Sequence, residues 1–261
     1  MSGTGFEKGF MALSLRQKLT AIALPVYWLV LFFLAHIPIP DVVYRARVSD
    51  KSLHFAAYLI LVFLLWFAIS PDDKVSWRRA RVWWTLLATA LYGVVDELLQ
   101  DYVGRTCDVT DFLANLVGLL TGLILFMFLT FWPAFLVVTG IVVFTLTNLA
   151  RADLAGLLPR TSVIFYFSAY GIFTLLWIRY MALFQALRAP RPRWLIGASV
   201  VPAAFLLTAK LSSIILGKDF SRRHVIVSAA AIAVVILTVF LAALSRRSCA
   251  RGPSSDFERP V

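Results

Sequence analysis

The chain has 261 residues, of which 61% are hydrophobic and 15% charged, and its mean hydropathy is +0.84. A soluble domain of this size is nearer half apolar and a quarter charged, so the long apolar blocks exclude a water-soluble globule and point to an all-α, polytopic transmembrane bundle. The net charge of +11 fits basic loops beside anionic headgroups, with membrane lipids as partners and no nucleic acid. No zinc-ligand spacing and no phosphate-binding glycine loop is present, so no metal is assigned and the sequence names no cofactor. Cys107 and Cys249 lie in different loops and imply no disulfide framework.

Residues 1–18 form a basic N-terminal segment with Lys8, Arg16 and Lys18. It leads into an apolar run at 19–37 that lacks a small-x-small cleavage site and is long enough to span, so it reads as an uncleaved first helix. Further spans are expected at 52–70 and 82–100. The block 109–150 is too long for one span, and Trp132-Pro133 supplies the break, because proline removes an amide donor. That gives 109–131 and 133–150, followed by 161–183, 194–216 and 224–244, and a polar tail at 245–261. The count is about eight spans. Residues 19–131 form a first four-helix membrane domain, and 133–244 an additional four-helix region. An even count puts both termini on one side. The loops on that side hold 15 of the 25 lysines and arginines, so the termini are expected in the cytoplasm and the chain in the plasma membrane.

Three polar segments then fall together at the outer face: 49–59, 94–100 and 104–118. Asp50 and His54 are four residues apart on one helix face, and Tyr58 continues it. Asp96 and Gln100 have the same spacing, with Glu97 beside them. Asp108 and Asp111 are three apart, and Asn115 follows four later. Gly118 and Gly122 extend that stripe in a spacing that lets another helix approach closely. Asp108 also suits an N-cap, and Asp111 a first helical turn, where the helix dipole favours an anion. A charge at the centre of a spanning helix costs about 2.5–3.5 kcal/mol, so buried ionisable groups here are candidates for function.

These residues resemble the VanZ-like family. The resemblance rests on Asp50-Lys51-x-x-His54-Phe55-x-x-Tyr58, Asp96-Glu97-x-x-Gln100 and Gly104-Arg105-x-x-Asp108-x-x-Asp111-x-x-x-Asn115-x-x-Gly118, and covers about residues 20–130. It implies a small helical membrane domain. It also implies a link to low-level resistance to the glycopeptide teicoplanin, which acts on cell-wall precursors outside the membrane.

Three readings of the cluster follow from its chemistry. In the first it is a site for an envelope lipid or lipid-linked precursor. Asp96 or Glu97 then serves as acid or base, His54 as proton carrier, and Lys51, Arg105 and Gln100 as headgroup contacts. Asp50, Tyr58, Asp108, Asp111 and Asn115 support them. In the second the same groups bind or transport without breaking bonds. In the third they are a salt-bridge lattice fixing helix ends. Elsewhere, His36 reads as interfacial and His224 as part of the basic run at 221–224. Lys210 reads as a snorkelling side chain. Trp77, Trp83, Trp84, Trp132 and Trp194 read as an aromatic belt.

Overall fold

The computed structural model describes residues 14–36, 50–102, 108–149, 159–184, 189, 191–217 and 220–250. The side chains of Leu15, Asp50, Leu149, 159–161 and 247–250 lie outside that description. The helices are α1 (Leu15–His36), α2 (Asp50–Ile69), α3 (Ala80–Tyr102), α4 (Val109–Phe128), α5 (Phe131–Phe144), α6 (Pro159–Phe184), α7 (Pro192–Ile215) and α8 (Arg222–Ala250). A π-helical turn, Thr145–Leu149, continues α5. No strand occurs among the described residues, and eight helical segments there are long and apolar enough to cross a membrane. The chain is a multi-pass helical membrane protein. Its backbone is helical throughout the apolar runs because lipid offers N–H and C=O groups no other partner.

The chain divides into two compact units, Met1–Pro159 and Arg160–Val261. In the first, α2 is the central helix and packs against α1, α3, α4 and α5, most extensively against α4. Leu59, Val62, Phe63, Trp66 and Phe67 of α2 form the core with Leu119, Leu123 and Phe126 of α4 and with Phe131, Ala134 and Val138 of α5. The expected glycine groove is where α2 and α4 meet. A Cβ on Gly118 would run into the carbonyl oxygen of Phe55, and one on Gly122 into Val62.

The break in the long apolar block falls slightly earlier than Trp132-Pro133. Helix α4 ends at Phe128, Thr130 is the N-cap of α5, and Pro133 sits in the first turn of α5. The first amide bonded back into that helix is Ala134 N, to Thr130 O at 2.9 Å. Pro133 therefore lacks a donor only where none is needed, and it starts the helix rather than interrupting it.

In the second unit, α7 packs on α8, and Phe205 of α7 stacks on Phe173 of α6 with ring centroids 4.5 Å apart. Trp194 is buried there beside Phe240, so it is a core residue and not a belt residue, whereas Trp83 and Trp84 are exposed. His224 is also buried, between Ser162 Oγ at 3.2 Å and Ser221 Oγ at 3.1 Å, and apart from the basic run in which it was read. Lys210 Nζ donates to Phe220 O at 2.6 Å.

The α2–α4 contact leaves no room for a methyl group at Gly118. Gly118→Ala should lower stability by about 1–3 kcal/mol. Gly171→Ala, whose Cβ would meet only Val235 at 3.8 Å, should stay within about 0.5 kcal/mol of the parent. Unfolding in mixed detergent micelles checks both.

Candidate functional site

Four helices of the first unit bring ionisable groups to one end. The end of α3 supplies Asp96, Glu97 and Gln100, and the start of α4 supplies Asp111 and Asn115. The first turns of α2 supply His54 and Tyr58, and the last residue of α1 is His36. All but His36 are buried, with Asp96 2%, Glu97 4% and Asp111 6% exposed.

His54 and Asn115 form the centre. Asn115 Nδ2 donates to Glu97 Oε1 at 3.4 Å, because a carboxylate can only accept. That orientation turns Asn115 Oδ1 toward His54 Nδ1 at 3.0 Å. A carbonyl oxygen accepts, so Nδ1 carries the hydrogen. His54 Nδ1 also lies 3.8 Å from Glu97 Oε1, and His54 Nε2 lies 4.0 Å from Asp111 Oδ2. The ring therefore stands between two carboxylates, with one nitrogen fixed as a donor and the other turned to Asp111. The backbone amide of Asp108 lies close to the Glu97 carboxylate.

Asp96 forms the second half. Gln100 Nε2 donates to Asp96 Oδ2 at 3.3 Å. His36 Nε2 approaches Asp96 Oδ1 at 4.0 Å, while His36 Nδ1 is 2.7 Å from Phe32 O and the ring stacks on Phe32. Tyr58 stacks on Tyr92 at 6.2 Å, Trp28 meets Tyr92 edge-on at 5.1 Å, and the Tyr58 hydroxyl is buried without a hydrogen-bond partner among the described residues.

The structure thus brings together His54, Tyr58, Asp96, Glu97, Gln100, Asp111 and Asn115. Asp108 stands just outside as the N-cap of α4, its side chain accepting from Thr110 N at 2.8 Å. Lys51 is exposed at the start of α2, and its charge acts on Asp108. Arg105 and the side chain of Asp50 lie outside the described residues. Among the described residues no group of His, Cys, Asp and Glu has the geometry of a metal site.

His36 was missed. It is separated from the other members by at least 18 residues, and no helix spacing links it to them. The available signal was topological, since the end of the first span emerges on the same side as the three polar segments. Tyr92 precedes Asp96 by four residues, and that spacing was also readable.

One cavity of the unit, about 550 Å³, is an apolar groove lined by Trp83, Leu86, Leu87, Ala90, Phe112, Leu116 and Leu120. A second, of about 100 Å³, lies among Leu24, Trp28, Leu61, Leu65, Ala88, Thr89 and Tyr92. None of the buried carboxylates lines either. The opposite end of the unit is ordinary surface chemistry: Asp73 pairs with Arg79 at 2.6 Å and Arg81 at 3.2 Å, and Arg16 with Asp72 at 3.0 Å.

A multi-pass helical bundle with a buried acid–imidazole cluster at one end of its first unit is the class these features define. Residues 19–132 match the VanZ/LLP1 family, and this segment is VanZ-like. The match spans α1 to α4 and ends at the start of α5. No curated protein and no solved structure matches the chain.

Two outcomes check this geometry. A double-mutant cycle of His54→Leu with Asn115→Leu should give a coupling of about 0.6 kcal/mol, and at most about 1.7, as measured for hydrogen bonds between membrane helices. The hydroxyl and amide of Thr110, with Lys51 adding, hold the Asp108 carboxyl below its usual range. A lowered value means the cap stabilises above the ordinary carboxylate range and is lost as pH falls through the folded value. The thermal midpoint should therefore drop below about pH 4 more steeply in the parent than in Asp108→Asn, which keeps a capping side chain without the charge.

Proposed function

We propose that the VanZ-like unit is an outer-face module of the plasma membrane that acts on or binds an envelope lipid or lipid-linked precursor, and through it alters glycopeptide (teicoplanin) susceptibility. The observation that carries this reading is the position of the His54 ring between Glu97 and Asp111. An imidazole held between two carboxylates, with Nδ1 donating to Asn115 and Nε2 turned to Asp111, can carry a proton between them. In this reading Glu97 or Asp96 is the acid or base, His54 the proton carrier, and Asn115 holds His54 and Glu97 in register. Lys51 and Arg105 are the headgroup contacts. The orientation follows from the basic residues of the loops, with both termini cytoplasmic.

The burial of the cluster's side chains favours a second reading, in which the same groups tie the ends of α1 to α4 together and move or transform nothing. Buried polar networks can serve specificity in this way. Matched lipid extracts and glycopeptide susceptibilities separate the two. The cells compared would carry no gene, the intact gene, Glu97→Gln or His54→Ala, at equal membrane levels. The site reading predicts a lipid or precursor that changes with the intact gene and reverts in both variants. An unchanged profile with the intact gene contradicts it, and variants that fail to accumulate support the structural reading.

A further inference from the structure

The loop between α2 and α3 is pinned to both helices that wall the apolar groove, at the end of the unit opposite the acid–imidazole cluster. Val75 N donates to Phe126 O at 2.9 Å and Trp77 Nε1 to Met127 Sδ at 3.0 Å, both in the last turn of α4. Trp77 O accepts from Trp83 Nε1 of α3 at 2.9 Å, and the two rings meet edge-on at 5.5 Å. Trp83 itself lines the groove. Lys74 and Arg78 stand one residue outside these anchors, and both are exposed. Neither has an ion-pair partner among the described residues. The groove starts at Trp83, within one turn of the start of α3, and rises to Ala90, about 10 Å along the helix. Above it the packing tightens, since a Cβ on Gly93 would lie 3.3 Å from the Tyr58 hydroxyl and 3.5 Å from Phe112. The groove therefore stays within one leaflet, about 15 Å deep, on the side of the basic loop.

We infer that this groove holds one acyl chain of a phospholipid with a net negative headgroup, whose phosphate meets Lys74 and Arg78. The site lies apart from the acid–imidazole cluster and does not rest on what that cluster does. The choice of head follows from charge. Arg16, Lys18, Lys74, Arg78, Arg79 and Arg81 stand against two carboxylates at this end, Asp72 and Asp73. Both acids are engaged, Asp72 by Arg16 at 3.0 Å and Asp73 by Arg79 at 2.6 Å and Arg81 at 3.2 Å. Residues 1–13 add one glutamate and one lysine, and so no net side-chain charge. The surplus is cationic, and it suits a phosphate, to which arginine offers a fork of donors. An anionic head satisfies that surplus, whereas the ammonium of a zwitterionic head would meet acids already paired. The Trp83 indole sits at the depth where tryptophan marks the headgroup boundary. The groove above it, about 550 Å³ and walled by Leu87, Ala90 and Leu120 among others, accepts hydrocarbon.

Photocapture in a defined bilayer tests this with the full chain, reconstituted in vesicles of phosphatidylcholine and phosphatidylglycerol in equal amounts. A benzophenone amino acid replaces Leu87, which lines the groove, or Trp84, which is exposed at nearly the same depth. Captured lipid is identified by mass spectrometry. A basic residue beside an anionic lipid strengthens the attraction roughly fivefold. Phosphatidylglycerol should therefore exceed phosphatidylcholine at least roughly tenfold at 87, and the two should be captured near their bulk ratio at 84. Lys74→Gln combined with Arg78→Gln should abolish the enrichment, as should Ala90→Trp, which fills the groove. Arg246→Gln, which removes an exposed charge from the second unit, should leave it intact. The same lipid ratio at 87 and 84 overturns the inference, as does enrichment that survives the paired glutamines. Loss of enrichment in Arg246→Gln also overturns it, because that result means attraction to the whole chain's charge. Capture at 87 of residues 160–261 or of a second copy of this chain overturns it as well. Should Ala90→Trp fail to accumulate, the paired glutamine variant, altered only at exposed positions, still decides. The readout involves no cluster residue, so either result leaves the proposed role of the cluster untouched.

Discussion

Gly118 has no room for a side chain, and the close approach of α2 and α4 at that point sets the geometry of everything above it. The carbonyl of Phe55 occupies the space a Cβ would need. His54 precedes Phe55, and Asn115 lies three residues before Gly118, so the same approach brings the imidazole within 3.0 Å of the amide. Without van der Waals closeness between these two backbones, His54 Nδ1 would lose Asn115 Oδ1 as an acceptor, and losing a buried hydrogen bond carries a cost that lipid does not relieve. The glycine contact and the polar contact are thus two parts of one interface. The first is permitted by a missing side chain, and the second fixes register.

The rest of the site hangs on that pair. Asn115 has one amide face for His54 and one for Glu97, so it transmits the α2–α4 geometry to α3. Glu97 then fixes the rotation of α3, which carries Asp96 toward α1 and Glu97 toward α2. His36 closes the last side through Asp96. Each helix in turn contributes one hydrogen-bonding or ion-pairing group that is satisfied only if its neighbour is in place. Such an arrangement is cooperative, which is why its parts would not act independently when removed.

Much of this was legible because helical spacing is local. The pairs 54/58, 96/100 and 111/115 each sit on one helix face by arithmetic alone, and the apolar runs located eight spans within a few residues. Asp108 read equally as an N-cap and as a support of the site, and its side chain is found capping α4. What spacing cannot show is which faces of different helices meet. His36 ended an apolar run, as an interfacial histidine does, and only the packing of α1 turned it toward Asp96. His224 looked like one more member of a basic run, yet its two ring nitrogens face two serines inside the second unit. Trp194 was placed in an aromatic belt by its position near a helix end, but the α7–α8 contact covers it. Pro133 was read as an interruption, when its missing donor makes it equally suited to a first turn. In each case a residue that suits two environments was assigned by sequence to the commoner one.

The functional account depends most on which side of the membrane the cluster faces, since envelope precursors lie on one side only. Thiol labelling in intact cells addresses this directly, in a background where Cys107 and Cys249 are serine. Tyr102→Cys places a thiol at the cluster end of α3, where the side chain is 90% exposed. Asp72→Cys places one at the opposite end, where the side chain is 72% exposed. A membrane-impermeant maleimide added outside should label position 102 and leave position 72 unlabelled until the cells are opened. Labelling of 72 with protection of 102 would put the acid–imidazole cluster on the cytoplasmic side and contradict the account.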